Sequence, residues 1–384
     1  MKIKNQDFLK KENLILVLKM ISDYGPISRA EISKQTDMSP TSASRIVALL
    51  SEKNLIEEVA INHQNVGRKA NYFRLNKKGI YFIGVELDKS YLRVGLMNFD
   101  EELIFKKTVE MRETDPNMVV KQIVDEIYEL KNNFDLIDNL IFGLCVGIPG
   151  IIEPEKGIVS FSVQMQWENT PLGDILHERL GLPVKVDNEL KLKALSEYKF
   201  CDDDVEHLII LGFGSGVGSA LISHGDINRG KSNFAGEIGH TIVDPNGACC
   251  PCGNFGCLQT YIAEPFLLNE AAKIKRIDSL EELILHAENG EIWAKKLILK
   301  AIKYASIAIN NTVCSFNPDL VILSGSLIEN HPYIQNLLLK EYEDTIWSPA
   351  HNSFDVEITK TKDEGVILGA AIRMKNHFIE NIHL

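Results

Sequence analysis

The sequence predicts an N-terminal winged helix-turn-helix followed by a larger α/β domain built from two similar lobes. Three observations predict it. Residues up to about 76 show three short helical patterns and then a strand-turn-strand with a basic tip. From Gly79 onward, apolar strand patterns alternate with helical ones. That second pattern occurs twice, each time opening with a hairpin, which marks a duplicated unit with a cleft between its lobes. The expected boundaries are 1–76 for the head and 77–384 for the body, with lobe one over about 77–190 plus the C-terminal helix and lobe two over about 191–365.

In the head, Leu14, Val17, Leu18 and Ile21 recur at helical spacing, and Gly25-Pro26 ends that helix. Ser28-Arg29-Ala30-Glu31 is a capping box that opens a second helix with Ile32 on its inner face. Thr36-Asp37-Met38 forms the turn. Ser39 then caps a third helix with Pro40 at its first position, where a missing N–H costs nothing. Ala43, Ile46, Val47 and Leu50 form its buried stripe. The opposite face carries Ser39, Thr41, Ser42, Ser44 and Arg45, short hydrogen-bonding groups and a guanidinium suited to base edges in a major groove. After Leu55-Ile56 a hairpin is expected, with Gly67, Arg68 and Lys69 at its tip, where a wing touches the phosphate backbone or minor groove.

Charge agrees with that division. The chain of 384 residues carries a net −12, but residues 1–75 hold 12 basic and 8 acidic side chains, a net +4. The remainder holds 29 and 45, a net −16. A small basic module on an acidic body suits a phosphate-seeking head joined to a domain with another task. No apolar run approaches the roughly 18–20 residues of a membrane helix, and the N-terminus lacks the apolar core of a secretory signal. A cytoplasmic protein with no membrane partner is expected.

In the body, Tyr81–Leu87 and Leu92–Met97 read as paired strands, residues 117–133 as a helix, and Asn139–Val146 as a buried strand. His207–Gly212 leads into the glycine-rich turn Gly214-Ser215-Gly216-Val217-Gly218 and a returning strand. Head and body are joined directly, with modest hinge freedom expected near Asn76-Lys77-Lys78.

Four of seven cysteines, Cys249, Cys250, Cys252 and Cys257, fall within nine residues. In a reducing compartment that spacing points to metal binding or chemistry rather than disulfides. The segment Gly236-Glu237-Ile238-Gly239-His240, followed by Cys250-Pro251-Cys252-Gly253-Asn254-Phe255-Gly256-Cys257, resembles the signature of the ROK family of repressors, open reading frames and sugar kinases. Gly147-Ile148-Pro149-Gly150, Asp187-Asn188-Glu189, Asn317-Pro318-Asp319 and the terminal Gly365–Ala371 stretch match as well. Head and body together resemble that family's xylose-repressor-like regulators over nearly the whole chain. The resemblance implies an actin-like, sugar-kinase (ribonuclease H-like) two-lobed fold with a zinc-binding loop.

His240, Cys250, Cys252 and Cys257 give three thiolates and one imidazole, a closed tetrahedral set of the structural-zinc type. Gly253 and Gly256 let the loop turn tightly, and Cys249 is read as a neighbour that could compete. The resemblance further places sugar contacts on Gly147, Pro149, Asn188, Glu189, Glu237, His240 and Gln259. Paired hydrogen bonds from carboxylates, an amide and an imidazole suit vicinal hydroxyls.

Three departures from the family's kinases argue that phosphoryl transfer is lost, so no catalytic residue is expected. Glu189 stands where those kinases carry the aspartate base, and a displacement of about 1 Å at a reacting atom costs roughly a hundredfold. Glu86-Leu87-Asp88-Lys89-Ser90 replaces a glycine-rich phosphate turn with two acids. Gln259 replaces a glutamate. The expectation is a repressor of carbohydrate-utilisation genes, a homodimer or dimer of dimers, which binds double-stranded operator DNA and answers to a sugar. Its rivals are a bifunctional ATP-dependent sugar kinase with a DNA-binding head and a zinc-responsive regulator.

Overall fold

The computed structural model describes residues 6–60, 71–134 and 140–382, with the side chains of residues 6–8 left aside. The chain divides into two compact units, residues 1–187 with 366–384, and residues 188–365. No helix among the described residues is long and apolar enough to cross a membrane.

The first unit opens with the helices Gln6–Tyr24, Arg29–Gln35 and Pro40–Glu52. Leu14, Val17, Leu18 and Ile21 are buried, and so are Ile32, Ala43, Val47 and Leu50, so the helical stripes found by spacing do form the core. Ile46 is the exception, only half-buried at the edge of its stripe. Ser28 makes the reciprocal capping box with Glu31, and Ser39 caps the third helix through the Ser42 N–H, with Pro40 next. Strands Ile56–Val59 and Tyr72–Leu75 form the expected antiparallel pair. A two-residue strand, Ile27–Ser28, adds to the other edge of Tyr72–Leu75; two residues are too few for alternation to reveal a strand.

The main sheet of this unit runs Val184–Asn188, Ile141–Ile148, Tyr81–Leu87, Tyr91–Asn98, Leu103–Glu110. Tyr81–Leu87 is parallel to Ile141–Ile148 and antiparallel to Tyr91–Asn98. Helix Pro116–Asn133 buries Val119, Val120, Ile123, Ile127 and Leu130 in the core beside this sheet. The C-terminal helix Gly365–Glu380 passes so close that a Cβ on Gly84 would meet the Ile367 carbonyl oxygen at 1.8 Å. Glycine at position 84 is what permits that approach.

The second unit has the same strand arrangement: Asp226–Asn228, Val217–Ser223, His207–Phe213, Leu320–Ser324, Asp355–Ile358. In each sheet the first strand of the repeat is central, its hairpin mate lies on one side and a later parallel strand on the other. The duplication read from the sequence is therefore present in the topology. Helix Ile292–Phe316 supplies Ile298, Ile302, Ile309 and Val313 to the core of this unit.

Between head and sheet the chain is tied down. The Asn76 side chain donates to the Asn54 carbonyl at 2.8 Å and accepts from the Lys78 N–H at 3.1 Å. Lys77 pairs with Glu102 and Asp100 in the turn after Tyr91–Asn98. The residues expected to hinge are thus held by several hydrogen bonds.

Candidate functional site

The first candidate surface is the exposed face of helix Pro40–Glu52. Thr41, Ser42 and Arg45 are exposed near its N-terminal end, Ser44 is half-buried, and Val47 and Leu50 point inward. Ser39 is exposed, but its hydroxyl is engaged by the Ser42 N–H at 3.2 Å and by the Ser42 hydroxyl at 3.0 Å. Its first role is therefore that of a cap. Gly67, Arg68 and Lys69, expected at the wing tip, lie outside the described residues.

The second candidate site is built on the segment from Gly236 to Gln259. Gly236 has φ +102°, and a Cβ there would lie 2.0 Å from the Ser219 carbonyl oxygen. The Gly236 carbonyl accepts from the Ser219 and Ile238 N–H groups, each at 2.7 Å. Gly239 passes equally near the strand, with the Val217 carbonyl 2.3 Å from where its Cβ would stand. The two glycines lay the short turn Ile238–His240 flat on the strand Val217–Ser223, which fixes where Glu237 and His240 emerge. Glu237 is half-buried. Burial pushes its carboxyl up, against the opposing pull of Lys191 and His240.

Lys191 escaped the sequence reading. It is buried and donates to the Asn233 carbonyl at 2.6 Å. Its position follows from Asn188, whose side-chain oxygen caps helix Glu189–Tyr198 by accepting the Leu190 and Lys191 N–H groups at 3.1 Å each. The Asn188 amide nitrogen donates to Glu189 at 2.8 Å. Two of the expected effector contacts are thus locked to each other. Gly147 is buried and Pro149 half-buried, in the first unit at and just beyond the end of strand Ile141–Ile148.

The cysteine loop returns on itself. Gly256 has φ +68°, and a Cβ there would stand 1.5 Å from the Asp244 carbonyl oxygen; its own carbonyl accepts from Val243 N–H at 2.9 Å. Tyr261 donates to Asp244 at 2.9 Å and stacks on Tyr304, bracing the loop from beneath. His240, Cys250, Cys252 and Cys257 each offer one ligand atom, all within 4.8 Å of one another. Cys252 and Cys257 sulfurs are 3.6 Å apart, and Cys250 Sγ is 3.9 Å from His240 Nδ1. Zinc bonds of about 2.3 Å to sulfur and about 2.0–2.1 Å to nitrogen give tetrahedral edges of roughly 3.8 and 3.6 Å. The residues fit the ion with small adjustments. Cys250 and Cys257 are buried while Cys252 is exposed, and the Asn254 backbone N–H holds the Cys252 thiol down to about 6. Burial pushes Cys257 up to about 12. Cys249 is exposed, and the ligand cluster does not include it.

Gln259, expected to meet an effector, directs its amide nitrogen to Cys250 Sγ at 2.9 Å. The residue signal that identifies this role is its place two positions after Cys257, on the first turn of helix Gln259–Ile262. At residues 86–93 a third feature appears. Glu86 is nearly buried and pairs with Arg93, and it accepts from the Tyr91 hydroxyl at 2.8 Å. Asp88 accepts from the Ser90 N–H and hydroxyl, closing the turn on itself.

The ROK family profile matches residues 82–377. The xylose repressor of Caldicellulosiruptor bescii is 30% identical over 385 residues, covering 95% of this chain and 96% of that protein. A solved ROK family transcriptional regulator, described as a homologue of the E. coli MLC protein, superposes with a TM-score of 0.82 at 25% identity, covering 97% of both chains. The ROK hexokinase of Thermus thermophilus shares the fold at TM-score 0.68 and 23% identity, covering 77% of this chain and all of that one.

Proposed function

Because the chain belongs to the ROK family, we propose that it is a sequence-specific DNA-binding repressor of carbohydrate-utilisation genes, controlled by a sugar or sugar derivative. One observation carries the reading. The likeness to a xylose repressor runs through 95% of the chain and so takes in the three-helix head as well as the ROK body. The head then acts as a winged helix-turn-helix, with Thr41, Ser42 and Arg45 reading base edges from the helix Pro40–Glu52. Gly67, Arg68 and Lys69 would contact phosphates from the wing. Two heads related by a two-fold axis match a pseudo-palindromic operator, which makes a homodimer or a dimer of dimers the working assembly.

The effector seat centres on Glu237 and His240, supported by Asn188 and Glu189. Gly147 and Pro149 are carried over from the family resemblance alone. A half-buried carboxylate beside an imidazole offers acceptor and donor to neighbouring hydroxyls, and an analogue lacking one hydroxyl leaves a buried polar group unpaired. Regulation requires that the sugar bind one conformation of the repressor more tightly than another, since equal affinity shifts nothing.

A zinc ion held by His240, Cys250, Cys252 and Cys257 would supply structural cross-linking of the loop and no reaction chemistry. His240 would then be fixed for its second task at the effector seat. Phosphoryl transfer is disfavoured by the Glu86–Arg93–Tyr91 cluster, which sets a carboxylate where a phosphate turn would need backbone donors. No residue is assigned a catalytic role.

The test uses the full-length protein with double-stranded DNA selected from a random library, read by fluorescence anisotropy. A defined sequence should emerge, and Arg45→Ala should weaken binding by about 1–3 kcal/mol, or roughly 5- to 150-fold. A panel of mono- and disaccharides should contain one that changes the affinity. Selection that yields no sequence preference would sink the reading.

A further inference from the structure

We propose a second metal site, formed by Glu206, His207 and His224 on the surface of the second unit, which takes a divalent transition metal such as Zn2+ or Ni2+. Its three side chains each offer one ligand atom, and these atoms lie within 4.8 Å of one another. The site shares no residue with the cysteine loop.

The topology assembles it. Strands His207–Phe213 and Val217–Ser223 form an antiparallel hairpin, in which His207 pairs with Ser223. Glu206 and His224 are the next residues outward, and the His224 N–H donates to the Glu206 carbonyl at 2.8 Å. Residues far apart on a loop would need ordering to meet a metal, but these sit on the end of a formed ladder. Asp319 fixes two of them further: one of its carboxylate oxygens accepts from the Glu206 N–H at 3.0 Å and the His207 N–H at 2.8 Å.

The side chains are disposed for a cation. The two imidazoles meet edge to face with ring centroids 4.9 Å apart, and His224 Nδ1 lies 3.8 Å from the Glu206 carboxylate. His207 Nδ1 is 3.0 Å from the Ser223 hydroxyl. If that nitrogen donates, Nε2 is left as a bare acceptor. A metal-ligating histidine has this arrangement, with the other ring nitrogen oriented by a hydrogen bond. Two imidazoles and a carboxylate suit borderline divalent ions, and three protein ligands leave at least one position open for water or an incoming group. Glu206 and His224 are exposed and His207 half-buried, so the ligands can close by side-chain rotation without disturbing the core.

The experiment is metal stoichiometry of the full-length protein after equilibrium dialysis against Zn2+, with His207→Ala and His224→Ala beside it. Each variant should hold one zinc fewer per chain than the wild type, and His224→Ala should keep its thermal midpoint in chelator because His224 is exposed. Cobalt substitution separates this site from the cysteine loop. The cysteine loop gives intense sulfur-to-cobalt charge transfer; this site gives only weak visible bands, which should vanish in His224→Ala with the charge-transfer bands intact. Equal stoichiometry in wild type and both variants overturns the proposal. A Cys252→Ser protein that keeps its full complement would instead count against the cysteine-loop reading, leaving this one unaffected.

Discussion

The Lys375 ammonium donates to the Ser22 hydroxyl at 2.9 Å, joining two residues 353 positions apart in sequence. Lys375 belongs to the C-terminal helix and Ser22 to the first helix of the head. The same ammonium pairs with Glu101 at 2.7 Å and faces the Phe99 ring at 5.6 Å. Its side chain is 2% exposed and that of Glu101 23%, so both charges are largely desolvated, the cation more completely. A buried charge deprived of its counter-ion is far costlier than a partly solvated one left behind. Glu101→Gln should therefore destabilise by about 3–5 kcal/mol, and Lys375→Met by clearly less. Urea denaturation of the two variants decides it, and the reverse order would show that the pair does not anchor the head in this way.

A second prediction concerns Gln259. Its amide N–H to Cys250 is a charge-assisted bond if the sulfur is a metal-bound thiolate, and hydrogen bonds around a metal site tune its affinity. Gln259→Leu keeps the bulk and deletes the donor. Zinc affinity, measured by competition with a chromophoric chelator, should fall roughly 10- to 100-fold. An unchanged affinity would mean the contact is incidental.

Much of this was legible in sequence, and the reasons differ by region. The capping box at Ser28 and the cap at Ser39 were readable because they depend on residues three apart. The metal cluster was readable because three of its four ligands lie within eight residues. Lys375–Ser22 was not, because nothing local marks a lysine whose partners lie 274 and 353 residues away. For Gln259 the spacing marks the position but not its contact with Cys250, because the direction of its side chain is set by the tight fold of the Gly256 turn. Helical period alone places Ile46 in the stripe, and period does not say how wide the buried stripe is.

A third prediction follows from Lys193 and Glu329, which pair at 2.6 Å and are both nearly buried. Burial pushes Glu329 up, but Lys193, the Gly325 N–H and the Ser324 hydroxyl together hold it below the usual carboxylate range. A depressed folded value means that this group contributes fully above the unfolded glutamate pKa of about 4.3 and loses its contribution as pH falls through the folded value. Glu329→Gln should cost about 3–5 kcal/mol at neutral pH, because it strands the Lys193 ammonium. The gap between wild type and variant should narrow below pH 4 or so. Denaturation midpoints taken from pH 7 to pH 3 test this, and a gap independent of pH would remove Glu329 from the acid response.

The last prediction separates sensing from DNA binding. Glu237 reaches its place because Gly236 and Gly239 pass close to the neighbouring strand, and its carboxyl is half-buried between Lys191 and His240. Removing it takes an acceptor from the proposed sugar seat while leaving both glycines, the four metal ligands and the whole head in place. Glu237→Ala should therefore bind operator DNA as the wild type does, yet need at least tenfold more sugar to change that affinity, a loss of about 1.4 kcal/mol or more. Anisotropy titrations at several sugar concentrations measure both quantities in one series. Weakened DNA binding without sugar would mean that Glu237 supports the fold, and an unaltered sugar response would place the effector elsewhere.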